Sequence, residues 1–244
     1  MKKKLIILAI WILLWELAAL IINNAILFAG PVDTIRALFD LLAKSEFYVS
    51  LLNSVMNILL GILAGLLTGT IFAAAGKRFK TFDEFFGPFI RLLRTVPVVC
   101  FIVIFLIWFG AGRISFFIVF TVTLPLVYIN IYSAIKAVDG RLLEMSDVFE
   151  MKLSKKLKYV YYPQMYQSVR ATLKLIAGVG FKSGAAAEVI GQSMHSIGNG
   201  IYRAKINLET PTLFAWTAVI LLVSFLLEKA FIFAAGKLLP GDKN

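Results

Sequence analysis

Residues 51–75 read LLNSVMNILLGILAGLLTGTIFAAA, a run of 25 residues without a charged side chain. An α-helix rises 1.5 Å per residue, so about 20 apolar residues are enough to cross the hydrocarbon core of a bilayer. Gly61, Gly65 and Gly69 recur at four-residue intervals, which places them along one face of that helix. Such a stripe of small residues lets a second helix approach closely in lipid, either as static packing or as a surface that slides during transport. The run therefore predicts a membrane-spanning helix with a face for helix packing.

The chain as a whole has the composition of an integral membrane protein. Of its 244 residues, 60% are hydrophobic and only 16% are charged, whereas soluble domains average about 25% charged residues. We interpret the first apolar run as a retained span rather than a cleaved signal peptide, because it is long and lacks an A-x-A site. The composition predicts an all-α membrane protein with a single domain, residues 1–244. Its six expected spans cover residues 5–22, 51–75, 96–110, 114–135, 171–190 and 213–235.

The charges of the chain predict its orientation. There are 25 Lys and Arg residues against 14 Asp and Glu, a formal net charge of +11. A basic balance is common in nucleic-acid-binding proteins, but cytoplasmic loops of membrane proteins also collect cations. With both termini in the cytoplasm, 17 of the 25 cations fall in cytoplasmic segments, 5 outside and 3 within spans. The positive-inside rule therefore predicts cytoplasmic termini, and no nucleic-acid partner is expected.

Residues suited to catalysis or metal binding are scarce. His195 is the only histidine and Cys100 the only cysteine, which excludes an H-E-x-x-H zinc site and an intrachain disulfide. The sequence contains no G-x-x-x-x-G-K-[ST] phosphate-binding loop, and it cannot supply a nucleophile, a base and an orienting group together. These absences argue against an enzyme, and against a metal or cofactor bound by this chain.

The predicted fifth span combines small residues with charged ones. Lys182 and Glu188 lie six positions apart and therefore on different faces of the helix. Because charges inside membrane spans are costly and often functional, we predict that Lys182 lines a solute pathway and favours an anionic solute. The alternative is that the lysine stem reaches the membrane interface by snorkelling. The candidate pathway residues are Lys182, Ser183, Gly184 and Glu188.

The predicted cytoplasmic segment 136–170 is charged but periodic. Its residues 142–163 read LLEMSDVFEMKLSKKLKYVYYP, and Pro163 is expected to end the helical pattern before the next span. Short amphipathic helices suit docking to a soluble partner. The alternative is that they rest on lipid headgroups through their lysines. The expected apolar face consists of Leu143, Val148, Phe149, Leu153, Leu157 and Val160.

This segment resembles the E-A-A-x3-G-x9-I-x-L-P signature of permease subunits in binding-protein-dependent ABC importers. Glu144 matches the opening glutamate, Pro163 follows it at the required nineteen residues, and Val160 occupies the isoleucine position. One departure from the signature falls at the turn between the two short helices, where a glutamate replaces its glycine. The departures are Met145 and Ser146 for the two alanines, Glu150 for the glycine and Tyr162 for the leucine.

Other stretches resemble the nitrate/sulfonate/taurine branch of these permeases. Residues 94–97 read RTVP and residues 107–112 read IWFGAG, similar to the R-x-x-P and WFG-x-G stretches of that branch. Residues 182–191, KSGAAAEVIG, and residues 196–198, SIG, are similar to its late region. The resemblance extends over residues 30–235 and is specific for the family rather than for the solute.

The resemblance implies a non-catalytic transport subunit with the type I ABC importer permease fold, in the bacterial inner membrane. Two copies, expected to be a homodimer, would form a solute pathway that opens alternately to the two sides of the membrane. The expected solute is nitrate, a sulfonate or taurine, bicarbonate or a pyrimidine precursor. A cytoplasmic ATPase would bind ATP and Mg²⁺, and a periplasmic or lipid-anchored binding protein would deliver the solute. Residues 141–163 would then be a coupling segment in a cleft of the ATPase. Its expected contact residues are Glu144, Asp147, Phe149, Glu150, Leu153, Leu157, Val160 and Pro163.

A stand-alone secondary transporter or channel is the alternative of a different class. It would require an inverted repeat or a ring of pore charges, and neither is evident in the sequence. A membrane-embedded enzyme is the third and weakest interpretation.

Overall fold

The computed structural model describes residues 2–238, and within that range no residue lies in a β-strand, so the predicted all-α class is confirmed. Met1 and residues 239–244, which the single-domain prediction includes, lie outside the described residues. A π-helical turn, Leu157–Tyr161, connects two of the helices. The α-helices are α1 (Lys2–Ile22), α2 (Pro31–Leu42), α3 (Ser45–Arg78), α4 (Lys80–Leu93), α5 (Val98–Phe109), α6 (Ile114–Lys136), α7 (Gly140–Val148), α8 (Leu153–Lys156), α9 (Tyr162–Gly191), α10 (Ile197–Ile206) and α11 (Thr210–Leu238).

Four helices among the described residues are long and apolar enough to cross a membrane, namely α1, α3, α6 and α11. Helices α4 and α5 meet the same criterion only as one span bent by 99°. The predicted third span is therefore a helix of 12 residues, which at 1.5 Å per residue is about 18 Å long and shorter than the hydrocarbon core. The break precedes Pro97, because a residue before proline disfavours the helical conformation.

Helix α9 contains the predicted fifth span but is not among the four apolar helices. It has 30 residues, ample length for a span, but residues 171–190 include three charged side chains, Lys174, Lys182 and Glu188. A count of four or five spans is what the composition of the described helices supports. The total of six spans and the cytoplasmic location of both termini stay predictions.

The interface between α3 and α6 is built on the glycine stripe of α3. All three glycines are buried, and a Cβ atom added to any of them would lie 2.8 Å from a Cβ atom of α6. Real Cβ atoms do not approach so closely, so the two helices can pack in this way only because the three residues are glycines. The α6 partners of Gly61, Gly65 and Gly69 are Val119, Thr123 and Val127.

Helix α9 completes the centre of the molecule by packing against both α3 and α6. A Cβ atom at Gly184 would lie 2.6 Å from Cγ1 of Ile58, and one at Gly180 would lie 3.0 Å from Cγ1 of Ile62. Both isoleucines and Phe181 are fully buried. The packed face of α9 is thereby fixed, and the opposite face of this helix is left exposed.

Candidate functional site

The expected coupling segment forms two short helices joined by a tight turn. Helix α7 begins after Asp139, whose side chain accepts a hydrogen bond of 2.9 Å from the backbone N–H of Arg141. Helix α8 follows after the turn, and Lys156 at its end forms an ion pair with Asp147 of α7. Glu144 is exposed on α7. The ion pair and the turn together hold the two helices in one arrangement.

Glu150 forms the turn in the left-handed conformation, with a φ of 48°. Glycine favours this conformation because it has no Cβ atom, and glycine is the residue that the signature has at this position. The turn closes through hydrogen bonds from the N–H of Glu150 to the carbonyl of Asp147 and from the N–H of Met151 to that of Ser146. The sequence therefore keeps the turn despite losing the glycine, at the cost of placing a side chain where L-residues are strained.

The apolar residues of the coupling segment mostly face away from the rest of the chain. Phe149 is 71% exposed and Leu153 is 70% exposed, and Val148 and Leu157 are exposed as well. Val160 is the exception, since it is only 4% exposed and belongs to the packed base of the segment. The predicted single apolar face is thus divided, with Val160 turned inward, Leu143 half-buried and the other four side chains exposed.

Pro163 does not end the helix, contrary to the expectation from the sequence. It lies inside a continuous run of helical residues, where its missing N–H removes one backbone donor at the point at which the helix leaves the π-helical turn. The π-helical turn Leu157–Tyr161 lies directly before α9 and directly after α8. Residues 153–191 therefore form one continuous helical rod that joins the coupling segment to the core.

Of the candidate pathway residues, Lys182 is the one that lies on the exposed face of α9. It lines a groove of about 380 Å³ together with Lys174, Gly178 and Glu228 of α11. Lys174 pairs with Glu228 at 3.4 Å, whereas Lys182 takes part in no ion pair within residues 2–238. This face thus presents a cation with no counterion from the described part of the chain.

The other three candidates lie elsewhere on α9. Ser183 is half-buried, and Gly184 and Glu188 belong to the packed face. The Glu188 carboxylate is 1% exposed and accepts hydrogen bonds from Ser54 Oγ at 2.6 Å and from the N–H of Gly198 at 3.3 Å. Gly184 and Glu188 therefore do not reach the exposed groove within this chain.

Glu188 is the centre of a buried polar network that the sequence did not indicate. Ser54 Oγ also accepts a hydrogen bond of 2.9 Å from the N–H of Ile197, the first residue of α10. The carboxylate thereby lies at the N-terminus of α10, where the helix dipole favours negative charge. Ser196 caps the same helix by accepting from the N–H of Asn199. The network joins α3, α9 and α10.

The chain is similar in sequence to known permeases. Residues 57–234 match the family described as "binding-protein-dependent transport system inner membrane component". A putative aliphatic sulfonates transport permease protein, SsuC of Bacillus subtilis (strain 168), is 26% identical over 93% of this chain and 82% of its own length. The taurine transport system permease protein TauC of Escherichia coli (strain K12) is 27% identical over 58% of this chain and 51% of its own length.

The fold has a counterpart among solved structures as well. A chain from the crystal structure of an amino acid ABC transporter with histidines superposes with a TM-score of 0.57. At 19% identity the match covers 80% of this chain and 93% of the other, and it concerns the fold alone. The apolar helices α1, α3, α6 and α11, together with the match to the inner membrane component family, indicate a multi-pass membrane protein.

The resemblance inferred from residues 94–97, 107–112 and 182–191 is confirmed, because the relatives include sulfonate and taurine permeases. These relatives are transport components rather than enzymes. The chain belongs to the family of binding-protein-dependent transport system inner membrane components, the permeases of ABC importers.

Proposed function

We propose that this chain is the permease subunit of an ATP-driven importer of small organic sulfonates, which moves its solute by alternating access. Two copies pair in the inner membrane, and each binds a cytoplasmic ATPase that holds ATP and Mg²⁺. A solute-binding protein delivers the solute from outside. The observation that best supports this proposal is the coupling segment, whose apolar residues are exposed although an ion pair between Asp147 and Lys156 joins its two helices.

The coupling segment suits an ATPase cleft in both chemistry and mechanics. Phe149 and Leu153 offer an apolar contact of the helix-in-groove kind, and Glu144 adds a charge beside it. The continuous rod of residues 153–191 passes a displacement of the segment into the core, because each turn of a helix is held by its own hydrogen bonds. The π-helical turn is the irregular point of the rod, and such turns are frequent at functional sites.

The exposed face of α9 is the proposed wall of the solute pathway. Charged side chains at membrane depth face the interior of a bundle or a water-filled cavity rather than lipid. Lys174 and Lys182 lie on this face, and α9 has no further helix of the described chain covering it there. A second copy that presents the same face would enclose a cavity lined by both Lys182 side chains.

The proposed topology has six spans and both termini in the cytoplasm. Helix α9 serves as the fifth span, because its charged residues lie towards the cavity or the packed core and not towards lipid. Helix α4 lies along the membrane surface, and after the 99° bend α5 forms the third span together with the non-helical residues on both of its sides. The bias of Lys and Arg towards the predicted inner segments supports this orientation.

The sulfonate class is supported by the relatives and by Lys182. One relative is described as a putative aliphatic sulfonates permease and another as a taurine permease. A sulfonate is anionic at every physiological pH, so an uncompensated lysine on the pathway lowers the cost of its passage. Specificity within the class is expected to reside mainly in the solute-binding protein.

Docking of the ATPase is tested with Glu144→Lys and with deletion of residues 153–157, each in the tagged permease purified from its native host. Both changes should abolish co-purification of the ATPase while the permease still inserts in the membrane. Lys205→Glu, a charge reversal on α10, is the matched control and should leave the complex intact. If the complex survives both changes, the coupling assignment is wrong. Uptake that persists in a strain without any partner ATPase would favour the stand-alone transporter.

The pathway is tested with Lys182→Met, measured as uptake of ³⁵S-labelled taurine and of a labelled alkanesulfonate. Losing a charged partner should lower uptake by roughly tenfold without changing assembly. Lys182→Arg retains the charge and should preserve most of the uptake, and Lys205→Met controls for the loss of a surface lysine. Unchanged uptake in Lys182→Met would reduce this lysine to a snorkelling role.

A further inference from the structure

Asp83 joins helix α4 to helix α6 through both oxygens of its carboxylate. Tyr128 donates a hydrogen bond of 2.5 Å to Oδ1, and Tyr132 donates one of 2.7 Å to Oδ2. The two tyrosines lie one turn apart on α6 with their rings stacked at 5.6 Å. Arg91 of α4 adds an ionic contact, with 3.9 Å between Nη1 and Oδ1 of Asp83. We call these four residues the Asp83 cluster.

Two glycines let the neighbouring helices approach the Asp83 cluster closely. Tyr128 is fully buried, and its hydroxyl would lie 3.3 Å from a Cβ atom at Gly76 of α3. A Cβ atom at Gly87 of α4 would lie 2.7 Å from Oδ1 of Asp83. The hydrogen bond from Tyr128 holds the pKa of the Asp83 carboxyl below its ordinary value, and Tyr132 and Arg91 act in the same direction. The group is therefore ionised at neutral pH, and its hydrogen bonds are charge-assisted.

The position of the Asp83 cluster links two parts of the chain that the proposed transport cycle would move. On one side, α6 ends at Lys136 and the coupling segment begins a few residues later. The backbone N–H of Asp139 at this junction donates a hydrogen bond of 2.9 Å to the side chain of Gln164 on α9. On the other side, α4 passes through the 99° bend into α5.

Apart from the Asp83 cluster, helix α4 is attached through apolar contacts, with Ile90 fully buried in the core. Phe82 and Phe86 pack against Phe72 of α3 through ring contacts of 5.4 and 5.9 Å, which are apolar and not strongly directional. Phe85 and Phe89 are exposed and make no comparable contact with the core. The hydrogen bonds of Asp83 are thus the directional contacts that set the position of α4 on α6.

We propose that Asp83 is a positioning residue for transport, which makes α4 follow the C-terminal end of α6 so that movement of the coupling segment reaches α5. This inference rests on the proposed function, because it assigns the cluster a part in passing ATPase motion to the membrane helices. Tyr128 and Tyr132 act with Asp83 as its two donors. No other described side chain holds α4 to α6 with paired hydrogen bonds in residues 2–238.

The only cysteine of the chain offers a direct test, since Cys100 is exposed and lies near the start of α5. A nitroxide attached to Cys100 reports the environment of α5 in the permease–ATPase complex, purified from the native host and placed in nanodiscs. Addition of ATP with vanadate should change the spectrum of the wild-type complex. In Asp83→Ala, and in the double variant Tyr128→Phe with Tyr132→Phe, that change should be lost. A Cys100→Ser permease defines the signal that comes from other subunits.

Coupled transport is measured in the same variants as ³⁵S-taurine imported per ATP hydrolysed. Losing two hydrogen bonds to a charged group should lower this ratio roughly tenfold, with ATPase binding retained. The double tyrosine variant keeps both rings, so it remains informative if Asp83→Ala fails to fold. Asp83→Glu should restore part of the ratio. Glu84→Ala is the matched control, because Glu84 lies on α4 but pairs only with the exposed Lys80 of the same helix.

The outcomes separate this inference from the proposed function. A wild-type complex that responds to nucleotide, with both variants responding equally, would overturn the role of Asp83 and leave the proposed function standing. A wild-type permease that binds no ATPase and gives no response would overturn both. A purely structural role of Asp83 would lower the yield or the thermal unfolding midpoint but leave the ratio and the nitroxide response of the surviving complex unchanged, and this result also contradicts the inference.

Discussion

Apolar side chains at helical spacing line both the α3–α6 interface and the coupling segment, but they are buried in the first and exposed in the second. In the interface, Gly61, Gly65 and Gly69 bring α6 so close that its side chains contact the α3 backbone. In the coupling segment, Phe149 and Leu153 project from two short helices that their own chain does not cover. The difference teaches that the same sequence pattern stabilises the packing of two helices in one region and stays exposed in the other, where the proposed ATPase would bind.

The largest expected effect is a loss of stability when the buried α3–α6 interface is altered. Gly65→Val would place side-chain atoms within the space of Thr123, 2.8 Å from its Cβ atom, and should destabilise the permease by about 3 kcal/mol. Gly178→Val is the matched control, because nothing lies within 4 Å of the added Cβ atom there. Thermal unfolding in detergent measures both. Equal midpoints for the two variants would contradict the close packing of α3 on α6.

In the exposed coupling segment, loss of an apolar side chain should weaken binding of the ATPase rather than lower stability. Phe149→Ser should leave the thermal unfolding midpoint of the isolated permease unchanged, while its affinity for the ATPase falls by about 2 kcal/mol, a factor of roughly 30. Val160→Ser, in the buried base of the same segment, should lower the midpoint instead. Titration of the permease with its purified ATPase gives the affinity. A loss of stability in Phe149→Ser would mean that this side chain is packed in the permease itself.

Ser54 tests a buried contact that is polar rather than apolar, the hydrogen bonds that join α3 to α9 and α10. Ser54→Ala removes the donor that contacts Glu188 and leaves a buried carboxylate without one of its hydrogen bonds, at a cost of about 2 kcal/mol. Ser50→Ala, one turn earlier on α3 and half-buried, is the control and should change stability little. The measurement is again thermal unfolding, with hydrogen exchange of α10 as a local readout. Unchanged protection of α10 would contradict the network.

The smallest expected effect is a gain of stability in the coupling segment. Glu150→Gly should relieve the left-handed strain at a φ of 48° and stabilise the turn by about 1 kcal/mol. The same substitution at Glu144, inside α7, should destabilise that helix by about 1 kcal/mol. Hydrogen exchange of the amides of residues 146–153 measures both changes. Faster exchange in Glu150→Gly would show that the glutamate side chain itself supports the turn.

The positions of most helices and the family could be predicted from the sequence, because both depend on residue types and their spacing along the chain. The apolar runs at 51–75, 114–135 and 213–235 lie within single long helices, and the spacing between Glu144 and Pro163 led to the correct family. The runs at 5–22 and 171–190 also lie within single helices, but one run was predicted less well. The run at 96–110 became a short helix after a sharp bend, because Pro97 interrupts the backbone and apolarity alone does not specify where a helix starts.

The behaviour of Pro163 shows a related limit of sequence patterns. A proline often ends or kinks a helix because it lacks a backbone N–H, but an irregular turn of the helix can accommodate it. Which case applies depends on where the preceding hydrogen bonds lie, and here the π-helical turn Leu157–Tyr161 precedes α9 directly. The continuous rod from the coupling segment to the core was therefore not foreseeable from residue types.

By itself, the sequence determined the class of the protein, the location of its apolar helices and the family signature, because these depend on composition and on spacing along one chain. Only the tertiary structure decided which faces meet. Glu188 and Ser54 are 134 residues apart in the chain, and Asp83 and Tyr128 are 45 apart, yet each pair shares a hydrogen bond. Helical periodicity tells which residues share a face, but the partner of that face is selected by the packing of distant helices against one another.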